Sequence, residues 1–389
     1  MRPDVVAAER SKEVRDAARN WRRAGFIAEE TLSRIVELYP DDRQRFGQGF
    51  RVLAFVFASI AAWAMVGLSF VFFKPDLDHA GIYLFWALAL SGLTELQRGP
   101  LARANAGAES ATALIAAFLA VAAGVLAAGG PSVHGIAIRI FASACVICVA
   151  AAWRWGDLLF FLGAGACGFG LLAQTDHGRL FWILASVLLI PVCLKAARDP
   201  RLAPSHRKGA VVVGAVAILA LYAAIHIWSW DQGLIEEMSE VSSPGRPASS
   251  LLRTLSMLAT ALLPAGFLTV GWRRREPLLL YSGLLLIAAS IATIRLYRTL
   301  MPLSVALIVI GAVCLGVALW VRRWLRSGER GERDGFTADP LFDSANRTDA
   351  IRSVVAMASF TPSAQATPAR NAFEGGGGSF GGGGATGNF

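Results

Sequence analysis

Apolar runs about twenty residues long alternate with short polar breaks from Phe50 to Trp324. A helix rises ~1.5 Å per residue and a bilayer's hydrocarbon core is ~30 Å thick, so runs of this length are membrane spans. Ten are predicted, over residues 50–73, 80–96, 111–128, 136–153, 158–173, 180–197, 210–230, 251–272, 277–296 and 301–320. The second and ninth are the weakest, because Glu95 and Arg295 sit near their ends. Residues 136–173 would overshoot any bilayer as one helix, so they must form a hairpin turning at Arg154-Trp155-Gly156-Asp157. The pattern predicts an all-α fold: a polytopic transmembrane helix bundle at 50–324, preceded by a cytoplasmic helical hairpin at 1–49. A polar tail follows at 325–389.

The hairpin reads from its own punctuation. A first helix stops at Gly25, where glycine can adopt the left-handed C′ conformation. That places Trp21 at C3 and Phe26 at C″, the positions of a Schellman motif's hydrophobic contact. Glu29 and Glu30 then open a second helix at its positive dipole end, and Leu32, Ile35, Val36 and Tyr39 give it one apolar face.

Composition agrees with the pattern. The 389 residues are 55% hydrophobic and only 17% charged, which is the profile of a membrane protein rather than a soluble one. The formal charge of +9 in a soluble chain would suggest a nucleic-acid partner. Here the basic residues gather at span ends, where contact with the bilayer's cytoplasmic face explains them without one. The first 49 residues have no apolar h-region, so no cleavable signal peptide is expected.

Lys and Arg set the orientation. With the amino terminus inside, Arg98, Arg103, Arg154, Lys195, Arg198, Arg201, Arg207, Lys208, Arg273, Arg274 and Arg275 fall in inner loops. Only Lys74, Arg179, Arg246, Arg295 and Arg298 fall outside. Both termini are therefore expected in the cytoplasm. The tail is expected to be mostly disordered, since its end is Ser, Ala, Pro and Gly-rich with two glycine runs, 375–378 and 381–384.

The Trp21-x-x-x-Gly25-x-Ile27 turn, a short second helix and a train of spans resemble the bacterial membrane proteins grouped as domain of unknown function 2157. The resemblance is carried best by residues 15–70. It implies a multi-span protein of a bacterial inner membrane and brings no catalytic residue with it.

Motifs with chemical potential resolve mostly into packing. Gly163-Ala164-Gly165-Ala166-Cys167-Gly168 matches a dinucleotide fingerprint literally but lies within a span, without the preceding strand that fingerprint needs. Its small residues at i, i+4 instead invite close helix approach. Cys145 and Cys148 have C-x-x-C spacing, again inside an apolar span. His79, His134, His177 and His226 lie toward the outer side without metal-ligand spacing and are expected on a solvated surface. No metal or cofactor is implied, and no catalytic residue stands out.

One constellation breaks the charge pattern. Arg295 and Arg298 are one helical turn apart on the side where arginine is scarce. The loop 231–250 on that side carries Asp231 and Glu237, and Arg139 lies near the outer end of the fourth span. These five residues are the candidate anion-binding or clamp site. The function expected is a non-enzymatic integral membrane protein, a scaffold or sensor whose hairpin meets a cytosolic protein partner. A transporter or channel for a small anionic solute is the alternative, and a membrane enzyme acting on lipid-linked substrates ranks third. Pro191 and Pro264 interrupt two spans and mark places where helices can break at a site.

Overall fold

A computed structural model of the chain describes residues 1–23, 25–40, 48–73, 79–99, 107–129, 133–226, 250–297, 303–328, 332–333 and 336–337. All belong to one compact unit, Met1–Leu341. The fold is helical apart from a two-residue antiparallel ladder pairing Glu332–Arg333 with Phe336–Thr337. The polar tail expected to be disordered lies outside the described residues from 338 onward.

Two helices precede the apolar region: α1 (Pro3–Arg23) and α2 (Glu29–Leu38). Gly25 joins them at φ +77°. The Phe26 amide donates to the Trp21 carbonyl at 2.9 Å and the Gly25 amide to the Arg22 carbonyl at 3.1 Å, the hydrogen-bond pair of a Schellman turn. The side chains do not follow the backbone. Trp21 and Phe26 are 51% and 80% exposed, so the apolar contact expected over the turn is not buried.

Every predicted apolar run contains a helix. They are α3 (Gln48–Phe73), α4 (Ala80–Arg98), α5 (Ala108–Ala128), α6 (Val133–Trp155), α7 (Leu158–Ala173), α8 (Gly178–Arg198), α9 (Pro204–Ile225), α10 (Ser250–Arg274), α11 (Pro277–Tyr297) and α12 (Leu303–Arg326). Among the described residues six of these, α3, α5, α6, α8, α9 and α10, are long and apolar enough to cross a membrane. The chain is therefore an integral, multi-pass membrane protein. Two more, α7 and α11, are apolar but shorter.

The helices pack as consecutive antiparallel pairs, and side-chain positions give the registers. Along α6 and α7, Phe141 lies against Gly170, Cys145 against Gly168 and Cys148 against Gly163. A Cβ on Gly170 would come within 2.5 Å of the Phe141 ring. The glycines of the false dinucleotide fingerprint thus let α6 close on α7, while Gly165 admits Val216 of α9. In α10 and α11 the approach is backbone to side, with Gly271 under Leu279 and Leu280 and Gly283 under Leu268.

Three apolar clusters run through the bundle. The largest joins Trp182 and Ile190 of α8, Ile218 and Leu221 of α9, and Leu279 and Leu286 of α11. A second joins Val66, Leu90, Ile115 and Leu119 of α3, α4 and α5. The third is a small contact of Ala113, Ala117, Ala152 and Phe160 among α5, α6 and α7.

Candidate functional site

Of the five residues expected to form an anion or clamp site, Arg298, Asp231 and Glu237 lie outside the described residues. Arg295 lies on the last turn of α11, and its side chain is outside them too. Arg139 turns back on its own helix, its Nε donating to the Gly135 carbonyl at 2.9 Å. The described polar chemistry gathers elsewhere, at the two ends of the bundle.

At the end that carries α1, an ionic belt ties four helices. α4 ends with Glu95 and Arg98, and α6 ends with Arg154 and Trp155. Arg154 presents its fork to Glu95, Nε to Oε1 at 2.7 Å and Nη2 to Oε2 at 2.8 Å. The Trp155 indole adds a third donor to Oε1 at 2.9 Å. Parallel guanidinium–carboxylate bonds are charge-assisted and geometrically specific. Arg98 reaches across in the other direction, bonding the Trp155 carbonyl at 2.7 Å and Asp157 Oδ2 at 3.3 Å.

Asp157 occupies the two-residue turn, where Gly156 takes φ +68°. Its Oδ1 accepts from the Leu159 amide at 3.1 Å, which caps α7, and its Oδ2 also accepts from Ser110 of α5 at 2.8 Å. One carboxylate therefore starts a helix and holds two others. The turn itself was legible in the sequence. The Glu95–Arg154 pair was not: Glu95 stood out only as a flaw in a span and Arg154 only as a mark of orientation. Opposite charges at neighbouring span ends were the available signal.

α1 lies along this same end. The Met1 amino group bonds the Trp153 carbonyl at 3.1 Å and Arg10 the Arg201 carbonyl at 3.2 Å. Glu9 Oε2 accepts from the Ser205 amide at 3.2 Å, and Glu13 pairs with Arg207. Ala203, at the N-cap of α9, has no side-chain oxygen, and Pro204 follows it. The open amide of Ser205 is therefore capped from outside, by the carboxylate of another helix.

The opposite end of the bundle carries a buried polar seam among α9, α10 and α11. It begins with a proline. Pro264 lies inside α10 and has no N–H, so the Thr260 carbonyl four residues earlier lacks its helical donor. Ser290 of α11 supplies one, its Oγ donating to that carbonyl at 2.7 Å. The Tyr222 hydroxyl of α9 lies 2.8 Å from the same Oγ. Because the serine's only hydrogen goes to Thr260, Tyr222 is the donor in that second bond. In hydrocarbon a freed backbone group is tolerated where a neighbouring helix satisfies it, as happens here. α10 stays helical through Pro264, and α8 through Pro191.

His226 extends the seam. It is only 7% exposed, which overturns its expected place on a solvated surface. Its Nε2 lies 2.8 Å from the Thr293 hydroxyl, and its ring packs on Tyr222 with centroids 4.8 Å apart. The Thr293 hydroxyl also reaches the Ala289 carbonyl at 2.9 Å. Arg179, 7% exposed at the start of α8, donates to the Ala224 carbonyl at 3.0 Å and so satisfies the end of α9. Position along the helix placed these residues near water, but His226 packs against α11 and Arg179 against the end of α9.

Among the described residues, no group of three or more His, Cys, Asp or Glu has the arrangement to hold a metal ion. Cys145 and Cys148 pack against the glycines of α7, with the Cys145 thiol 3.9 Å from the Ala164 carbonyl. No family model, curated protein or solved structure matches this chain.

Proposed function

We propose that the chain is a non-enzymatic scaffold or sensor of a bacterial inner membrane, with all ten apolar helices crossing and both termini in the cytoplasm. In this reading α2 and the turn before it are the surface that meets a cytosolic protein. The observation that carries it is the exposure of large apolar groups on this small element. Phe26 and Leu38 are 80% and 70% exposed, Trp21 and Tyr39 follow, and no residue of α2 is buried. Leu32, Ile35 and Val36 of its apolar face are half-buried, and the exposed groups beside them give a partner a place to dock.

Orientation is supported by where the basic residues gather. Arg98, Arg154, Arg198, Arg201, Arg207 and Arg274 all take part in the contacts of the end that carries α1. That end is the cytoplasmic one by the positive-inside rule. At 16 residues α7 is about 24 Å long, so it crosses only where its polar flanks reach the interface.

The test uses a photo-crosslinking amino acid at Leu38 or Tyr39 of the full chain in living cells. Discrete protein adducts on the cytoplasmic side are expected, and adducts to lipid alone would remove the partner reading. Separately, a cysteine at Arg274 should resist an impermeant reagent in intact cells. Its labelling from outside would reverse the orientation.

A further inference from the structure

We propose that α1 is a charge-latched strap, docked on the bundle by its acidic residues and released from it as a unit when those charges are screened. Three observations carry this. First, the docking contacts are polar: Glu9 on the Ser205 amide, Glu13 on Arg207, and Arg10 on the Arg201 carbonyl. Glu9 and Glu13 are four residues apart, so both face α9 from one side of α1. Second, α1 brings few deep apolar anchors: Ala18 is its single fully buried residue, Val5, Val6 and Val14 are half-buried, and the Met1 side chain ahead of it lies against Gly156. A helix embedded in a fold normally buries a full stripe of apolar side chains, and this one leans on its charged contacts as well.

Third, the surface beneath the strap is built for anionic groups. It joins the amino end of α9, with its partial positive charge, to the guanidinium of Arg207, with Lys208 next in sequence. Glu9 and Glu13 are the anions supplied by the chain itself. Interactions of this kind weaken over a Debye length that shrinks from ~10 Å at 0.1 M salt to about 3 Å at 1 M. The buried contacts of the bundle do not weaken in that way. Ionic strength therefore acts on the strap and leaves its seat in place. Docking of α1 rests on its own contacts and holds whatever α2 meets.

The experiment is hydrogen exchange of the full chain in lipid nanodiscs at 50 mM and 500 mM KCl. A single helix of 21 residues is marginal once released from its seat, so release appears as lost amide protection. Exchange across residues 5–17 is expected to quicken at least about tenfold at high salt, with residues 217–224 of α9 unchanged. Glu13→Arg should reproduce that loss at low salt. Combining Glu13→Arg with Arg207→Glu should restore protection, because the pair is rebuilt in reverse. Protection of α1 that ignores both salt and Glu13→Arg would make it a fixed part of the fold and overturn the proposal. Should Glu13→Arg fail to fold, as exchange at 217–224 would reveal, the salt response of the unmodified chain decides alone.

Discussion

Arg154 holds Glu95 through both arms of its guanidinium, at 2.7 and 2.8 Å, and so joins the ends of α4 and α6 across 59 residues of chain. The pair is half open to water, with side-chain exposures of 50% and 31%, which tempers its strength. The bidentate geometry and the Trp155 donor work the other way. Glu95→Gln should lower stability by about 1 kcal/mol, read as an earlier midpoint in SDS-titration unfolding. Arg154→Lys should cost nearly as much, since a point charge cannot make two parallel bonds. Full stability in Arg154→Lys would show that charge alone suffices.

Asp157 performs two separable tasks. Asn can still accept from the Leu159 amide but cannot pair ionically with Arg98, whereas Ala does neither. Asp157→Asn should therefore lose about 1 kcal/mol and Asp157→Ala roughly 2–3 kcal/mol, the difference being the cap and the Ser110 bond. Equal losses in the two variants would mean the cap contributes nothing.

The Thr260–Ser290 bond exists because Pro264 removes a donor. Ser290→Ala removes the donor that α11 gives this carbonyl and should cost about 1–2 kcal/mol. Pro264→Ala returns an amide to α10, so Ser290→Ala should cost clearly less in that background. A double-mutant cycle measures the coupling. Additive losses would refute the link between the proline and the serine.

Arg275 is the described non-glycine residue with positive φ, at +53°, and it closes α10 as Gly25 closes α1. The Glu276 amide bonds the Gly271 carbonyl at 2.9 Å, the same Schellman pattern. A side chain there carries steric strain that glycine relieves. Arg275→Gly should raise stability by about 0.5 kcal/mol, while Arg275→Ala keeps the Cβ and should not. A thermal-shift comparison of the two variants separates backbone relief from loss of charge.

Much of this architecture could be read from the sequence because it is local. Each predicted run contains a helix, the α6–α7 turn falls at 156–157, within the four residues expected for it, and the backbone bonds around Gly25 follow from one glycine. Hydrophobic period and turn chemistry act within a few residues, so they survive without tertiary knowledge. What stayed hidden was long-range. Glu95 and Arg154, Glu9 and Ser205, and His226 and Thr293 are each brought together by packing over 59 residues or more. His226 was misplaced for the same reason: nearness to a helix end says nothing about which neighbour covers it. The sequence singled out Arg295 and Arg298 by their side of the membrane, while the described polar contacts centre on Glu95, Asp157 and Ser290.

The proline in α10 also has a mechanical consequence. The backbone of a regular helix offers equivalent, internally bonded groups at every turn, so it gives a neighbour no polar mark of register. α10 offers one carbonyl that no other turn duplicates, and Ser290 is the side chain that meets it. Moving α11 by a turn in either direction would break that bond. Pro264 therefore acts as a detent: together with the close approaches at Gly271 and Gly283 it sets the register of α10 against α11.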